Sequence, residues 1–136
     1  MDKKRILIVE DEKNTRVLFQ AIVEFLDYEV DSVETSEKAF EIMKLNKYDI
    51  LWIDYKLTGS LNGISVFSIM KSYNENLIAI LVTGVKDEKL MEEAYSKGFW
   101  KVLFKPISIF HIKEVLTVMS YKLSTIELNS NKSMTV

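Results

Sequence analysis

The stretch "ILWIDYK", residues 50–56, decides the fold. Ile50, Leu51, Trp52 and Ile53 form an unbroken apolar run with the length and composition of a strand buried on both faces. The run leads straight into Asp54, and a carboxylate at the edge of a core is costly unless a partner compensates it. The rest of the chain should supply that partner.

Working outward, the run is one of five short segments rich in β-branched residues: "RILIV" at 5–9, "YEVDSV" at 28–33, "DILWI" at 49–53, "LIAILV" at 77–82 and "WKVLF" at 100–104. The first, third and fourth lack polar alternation, as expected of central parallel strands. The second alternates and the fifth carries Lys101, so these two are expected at the edges of the sheet. Between the runs the period changes to that of helices. Val17, Leu18, Ala21, Ile22, Phe25 and Leu26 are expected to form the apolar stripe of a first helix over 14–26. Ala39, Phe40, Met43 and Leu45 follow the Thr35-Ser36 pair, which suits an N-cap, in a second. Ile64, Phe67, Ile69 and Met70 mark a third, and Leu90, Met91, Ala94 and Tyr95 a fourth. Pro106 suits the first turn of a fifth, which carries Ile109, Ile112, Val115, Leu116 and Met119. Strand and helix alternate five times, which implies an α/β fold: a parallel sheet with helices on both faces and right-handed crossovers. The periodicity fades at residue 123, so the expected domain is 1–122, with 123–136 a C-terminal tail or the start of a linker.

Composition sets bounds on the function. At 136 residues, with 48% hydrophobic and 28% charged, the chain has material for one globular domain. The net charge of -2, with no basic run longer than "KKR" at 3–5, argues against a nucleic-acid-binding face or an anionic-membrane surface. There is no cysteine, hence no disulfide and no thiolate metal site. The apolar run after the basic N-terminus is too short for a signal peptide or a membrane span. A cytoplasmic location is expected.

In an open parallel sheet, ligand sites lie beyond the carboxyl ends of the strands. There the sequence places Glu10 and Asp11 after strand one, Asp54 after strand three, Thr83-Gly84 after strand four and Lys105-Pro106 after strand five. If strands one and three are neighbours, three carboxylates converge, and either a proton stays on the cluster or a cation enters. Mg²⁺ is the natural cation, because it prefers oxygen ligands and keeps waters free for phosphate oxygens. Taken singly, each feature has a plainer reading: Glu10 and Asp11 as helix N-terminal acids, Thr83-Gly84 as a turn, Lys105-Pro106 as a helix start.

Taken together and in order, "VEDE", "WIDYKL", "LVTG" and "FKP" resemble the receiver domains of bacterial two-component response regulators, over roughly residues 4–121. The resemblance implies a flavodoxin-like sheet in the order 2-1-3-4-5. It also implies a phosphoacceptor signalling domain rather than an enzyme, with self-catalysed phosphorylation and dephosphorylation at most. Asp54 would take a phosphoryl group from a phosphohistidine on a sensor histidine kinase. Asp11 would bind Mg²⁺ directly, Glu10 through a metal-bound water, and Lys56 through its main-chain carbonyl. Lys105 would offset charge on the phosphoryl oxygens, and Thr83 would bond one of them and draw its loop inward, with Gly84 leaving room. A homodimer through the fourth and fifth helices and fifth strand is compatible with the family. The chain reads as a stand-alone regulator or as a receiver with a fused output domain, and neither stimulus nor target is encoded legibly.

Two positions depart from the family pattern. Val102 stands three residues before Lys105, where an aromatic residue often reports phosphorylation. Thr58 stands where a proline usually follows the phosphoacceptor, in a longer loop that is expected to be more mobile. The alternative function is a pseudo-receiver, a protein-binding module that works without phosphorylation. A haloacid-dehalogenase-like phosphatase would need an acid where Lys56 stands, and a phosphate-binding G-x-x-x-x-G-K-[ST] loop is missing from the sequence.

Overall fold

Each apolar run becomes a strand and each helical period a helix. The order is β1 (Arg5–Val9), α1 (Lys13–Phe25), β2 (Glu29–Val33), α2 (Ser36–Leu45), β3 (Ile50–Asp54), α3 (Gly63–Tyr73), β4 (Ile78–Thr83), α4 (Glu88–Ser96), β5 (Lys101–Phe104) and α5 (Ile109–Met134). The computed structural model describes residues 3–134, with side chains through residue 129. All strand pairs are parallel, in the order β2-β1-β3-β4-β5. The alternating run and the run with Lys101 are the two edges, and every residue of β3 is buried.

Side chains alternate across the sheet with a period of two. On one face Leu7, Val9, Leu51, Ile53, Ala79 and Leu81 join a core with Ala39 of α2, Ile64, Phe67 and Met70 of α3, and Leu90 and Ala94 of α4. On the other face Trp52 meets Phe19 of α1 edge-on, with ring centroids 5.5 Å apart. Side-chain caps fix where these helices begin. The Thr35 hydroxyl accepts from the Lys38 N–H at 3.1 Å, Asn62 from Ser65 at 3.0 Å and Asp87 from Lys89 at 3.0 Å. Glu12 caps α1 by accepting from the N–H groups of Asn14 and Thr15.

Two expectations need correction, and one helix runs longer than its periodicity suggests. The stripe expected to bury α1 does not. Phe19 and Val23 are its buried residues, while Val17, Leu18 and Phe25 are 58%, 53% and 89% exposed. The helix is apolar on two adjacent sides, and the aromatic contact with Trp52 selects which one packs on the sheet. Pro106 lies ahead of α5, not in its first turn: the Ser108 hydroxyl accepts from the His111 N–H at 3.1 Å and starts the helix there. The helix also continues past residue 123 without a break, as far as Met134. Its Ser, Thr and Asn residues lower helix propensity only by fractions of a kcal/mol each, and the Thr125 hydroxyl is satisfied by the Tyr121 carbonyl at 3.0 Å. Thr135 and Val136, the end of the expected tail, lie outside the described residues.

The unit that holds the sheet ends at Pro106, and α5 belongs to a second unit that begins at Ile107. All the rim residues singled out from the sequence lie in the first unit.

Candidate functional site

The site is built where the strands run out. Glu10 follows β1 and its N–H donates to the Val33 carbonyl at 3.0 Å, so the main chain carries the sheet ladder one residue past the strand. Asp54 ends β3 opposite Val82. Lys105 follows β5, with its N–H donating to the Thr83 carbonyl at 2.9 Å. From there its side chain spans the rim: Nζ lies 2.7 Å from Glu10 Oε1 and 2.8 Å from Asp54 Oδ2. Glu10 is 1% exposed and Asp54 8%. This ammonium is the compensation that the apolar run into Asp54 required.

One lysine does not balance two carboxylates. Burial, followed by the hydrogen bond and charge of Asp54, pushes the Glu10 carboxyl up to about 8, against the opposing pull of Lys105. The Glu10 carboxyl thus keeps its proton to a higher pH than an ordinary carboxylate does. Burial pulls the Lys105 ammonium down, but its bonds to Asp54 and Glu10 outweigh that and hold it above its ordinary value.

Asp11 completes the acidic cluster from an exposed position. One carboxylate oxygen each from Glu10, Asp11 and Asp54 lies within 4.8 Å of the others. Glu10 Oε2 is buried and has no hydrogen-bond partner among the described residues, which is expensive unless something else occupies it. A convergent set of three hard oxygen donors with one unsatisfied lone pair fits a hard divalent cation.

The other expected residues fall on the same rim in differing states. The Lys56 N–H donates to Asp54 Oδ1 at 3.3 Å, orienting that carboxylate. Thr83 is buried and its hydroxyl oxygen accepts from the Val85 N–H at 3.0 Å, so it caps its own turn. A Cβ added to Gly84 would meet nothing within 4 Å, consistent with room beside Thr83. Val102 is buried in the core, and its N–H donates to the Tyr95 hydroxyl at 3.2 Å. An aromatic residue does meet β5 at this position, but it comes from α4.

Several contributors were not apparent in the sequence. Arg16 donates to the main-chain carbonyls of Glu10 at 3.0 Å and Asp11 at 3.5 Å, clamping the turn that presents both acids. Because it binds backbone, no residue pattern announces it. Thr58 donates to Asp11 Oδ2 at 3.2 Å and pairs with Thr35 in an isolated parallel bridge. Ser60 donates to Glu37 Oε1 from its N–H at 3.2 Å and its hydroxyl at 2.9 Å. The loop expected to be mobile is thus tied both to the site and to the start of α2. Gly59, at φ +125°, makes its turn in a region few other residues tolerate.

Gly63 closes this loop against the site. A Cβ there would stand 2.3 Å from the main-chain oxygen of Asp54, a neighbour that cannot move aside as a flexible side chain could. Gly63→Ala is expected to cost about 1–3 kcal/mol, in line with overpacked interiors. Chemical denaturation of the variant should show the loss, and unchanged stability would mean that α3 shifts freely against Asp54.

Among the described residues no helix is long and apolar enough to cross a membrane. Comparison with known proteins agrees with the geometry. Sporulation initiation phosphotransferase F of Bacillus subtilis is 25% identical over 116 residues, covering 85% of this chain and 93% of that protein. The aerobic respiration control sensor protein ArcB of Escherichia coli is 28% identical over 109 residues, which are 76% of this chain but 14% of ArcB. The fold matches a CheY-like receiver domain from Methanospirillum hungatei with a TM-score of 0.83 at 23% identity, covering 94% and 99% of the two chains. It also matches response regulator TrrA of Thermotoga maritima, solved in complex with Mg²⁺-BeF, with a TM-score of 0.74 at 24% identity over 84% and 96%. The family model for the response regulator receiver domain matches residues 6–117, and the chain belongs to that family of two-component signalling domains.

Proposed function

We propose that Asp54 accepts a phosphoryl group from the phosphohistidine of a sensor histidine kinase, with Mg²⁺ held by Asp11, Asp54, the Lys56 carbonyl and, through water, Glu10. The observation that carries this reading is the Lys105 ammonium bridging Asp54 and Glu10 inside the acidic cluster. An Asp54 oxygen attacks phosphorus, an O–P bond forms, and the N–P bond to the histidine breaks. The Lys56 N–H orients Asp54, and Lys105 follows the charge that develops on the phosphoryl oxygens. A divalent cation held there would neutralise part of that charge, and Glu10 would serve it as a carboxylate. Thr83 then gives up its local bond to Val85 for a phosphoryl oxygen, which moves the β4–α4 loop and changes the surface a partner sees.

A partner presenting a phosphohistidine has to approach over the rim from which α1 begins. The exposed Val17 and Leu18, near the start of α1, offer it an apolar footing there. As in ArcB, where the matched segment is a small part of a sensor protein, the output need not lie in the matched region.

The test is incubation with Mg²⁺ and acetyl phosphate, followed by intact mass. One added phosphoryl group is expected, and excess chelator should abolish it. No addition to the folded protein would favour a phosphorylation-independent pseudo-receiver, and an unchanged yield in chelator would remove the metal from the mechanism.

A further inference from the structure

We infer that Thr58 and Glu37 are positioning residues for the cation site, Thr58 by fixing Asp11 and Glu37 by fixing the loop that carries Thr58. The inference rests on the proposed cation site and concerns residues outside the acidic cluster itself.

Of the three carboxylates, Asp11 is the one that its surroundings hold least. Glu10 and Asp54 are buried and bound to Lys105, whereas Asp11 is exposed and sits on a bend before α1. A free carboxylate must lose rotamer freedom before it can ligate, which weakens binding. The Thr58 hydroxyl removes much of that freedom, donating to Oδ2 at 3.2 Å while the other oxygen and the remaining lone pairs stay available. Hydrogen-bond partners of ligating carboxylates act on metal affinity in this way.

The position of Thr58 is set in turn from α2. Its main chain pairs with Thr35, the N-cap residue of α2, and two residues later Ser60 is bound twice by Glu37 in the first turn of that helix. Between them Gly59 passes so close that a Cβ would lie 2.5 Å from Glu37 Oε2. These contacts span 23 residues of sequence and connect the β2–α2 junction to Asp11 through one loop. Its own main-chain N–H, followed by the two Ser60 bonds, holds the Glu37 carboxyl below the usual range, so it accepts as a carboxylate.

Isothermal titration of Mg²⁺ into the full chain tests this without relying on phosphoryl transfer. Thr58→Val keeps the shape and removes the donor, and its affinity for Mg²⁺ should fall about tenfold, the lower end of what lost hydrogen-bond partners of metal ligands cost. Thr58→Ser keeps the donor and should restore wild-type affinity. Glu37→Ala should weaken binding by a smaller factor, and should add nothing in the Thr58→Val background, because its effect passes through Thr58. Circular dichroism confirms that each variant is folded. Wild-type affinity in folded Thr58→Val overturns the inference, as do equal losses in the Val and Ser variants, which would indicate packing alone. An undiminished Glu37 effect in the Thr58→Val background overturns the linkage through Thr58. Absence of Mg²⁺ binding by the wild-type protein is a different result, because it sinks the cation site itself.

Discussion

Asp54→Ala is expected to take up no phosphoryl group under conditions that modify the wild-type protein fully. Among the described residues, Asp54 is the carboxylate that is both bonded to Lys105 and oriented by a neighbouring main-chain N–H. Glu10 shares the lysine, but it is more deeply buried and holds its own proton near neutrality, which makes it a poor nucleophile. Asp11 lacks the ammonium contact. Intact mass after treatment with acetyl phosphate decides the matter, and phosphate retained on the variant would place the chemistry elsewhere.

The same substitution should change how stability depends on pH. In the folded, metal-free wild type, Glu10 keeps its proton up to about 8, while in the unfolded chain it releases it near 4.5. Within that window the native state binds more protons than the unfolded state, so stability falls as pH rises. Burial is the largest cause and remains in the variant. Asp54 is the next, and its removal brings the Glu10 carboxyl down, so the decline should flatten. Urea titrations across the window, with chelator present, measure the slope, and an unaltered slope would show that Asp54 does not control Glu10.

Lys105→Met is expected to slow phosphoryl uptake on the order of 10²-fold, the effect typical of removing one preorganised charge at a developing anion. The lysine reaches from the end of β5 past β4 to the carboxylates that end β3 and follow β1, and among the described residues it is the cation paired with both. Methionine retains apolar bulk without the ammonium. Without its counter-charge the Glu10–Asp54 pair favours a divalent ion more strongly, and Mg²⁺ should raise the melting temperature of the variant more than that of the wild type. An unchanged uptake rate, followed by quenched time points and intact mass, would assign the charge stabilisation to other groups.

The rim was legible because a central parallel strand announces itself as an uninterrupted apolar run, and whatever polar residue ends it must sit on the rim. That logic places Glu10, Asp11, Asp54, Thr83 and Lys105 on the rim from the sequence alone. It failed for α1, where Val17, Leu18 and Phe25 satisfy the helical period as well as Phe19 and Val23 do. Only the position of Trp52 across the sheet separates the two sides. It failed again for Arg16, Thr58 and Glu37, whose roles depend on where main-chain carbonyls and a loop pass in space. At α5 a proline suits a first helical turn, but the Ser108 hydroxyl is what begins the helix.

The Phe19–Trp52 contact gives the protein an optical reporter of its own. Trp52 stands two residues before Asp54 in β3, is sealed from solvent, and touches the helix that follows Asp11. The other indole, Trp100, is only half-buried, so aqueous iodide should quench it first. The emission that survives belongs to Trp52, and it allows events at the carboxylates to be followed in real time without a dye.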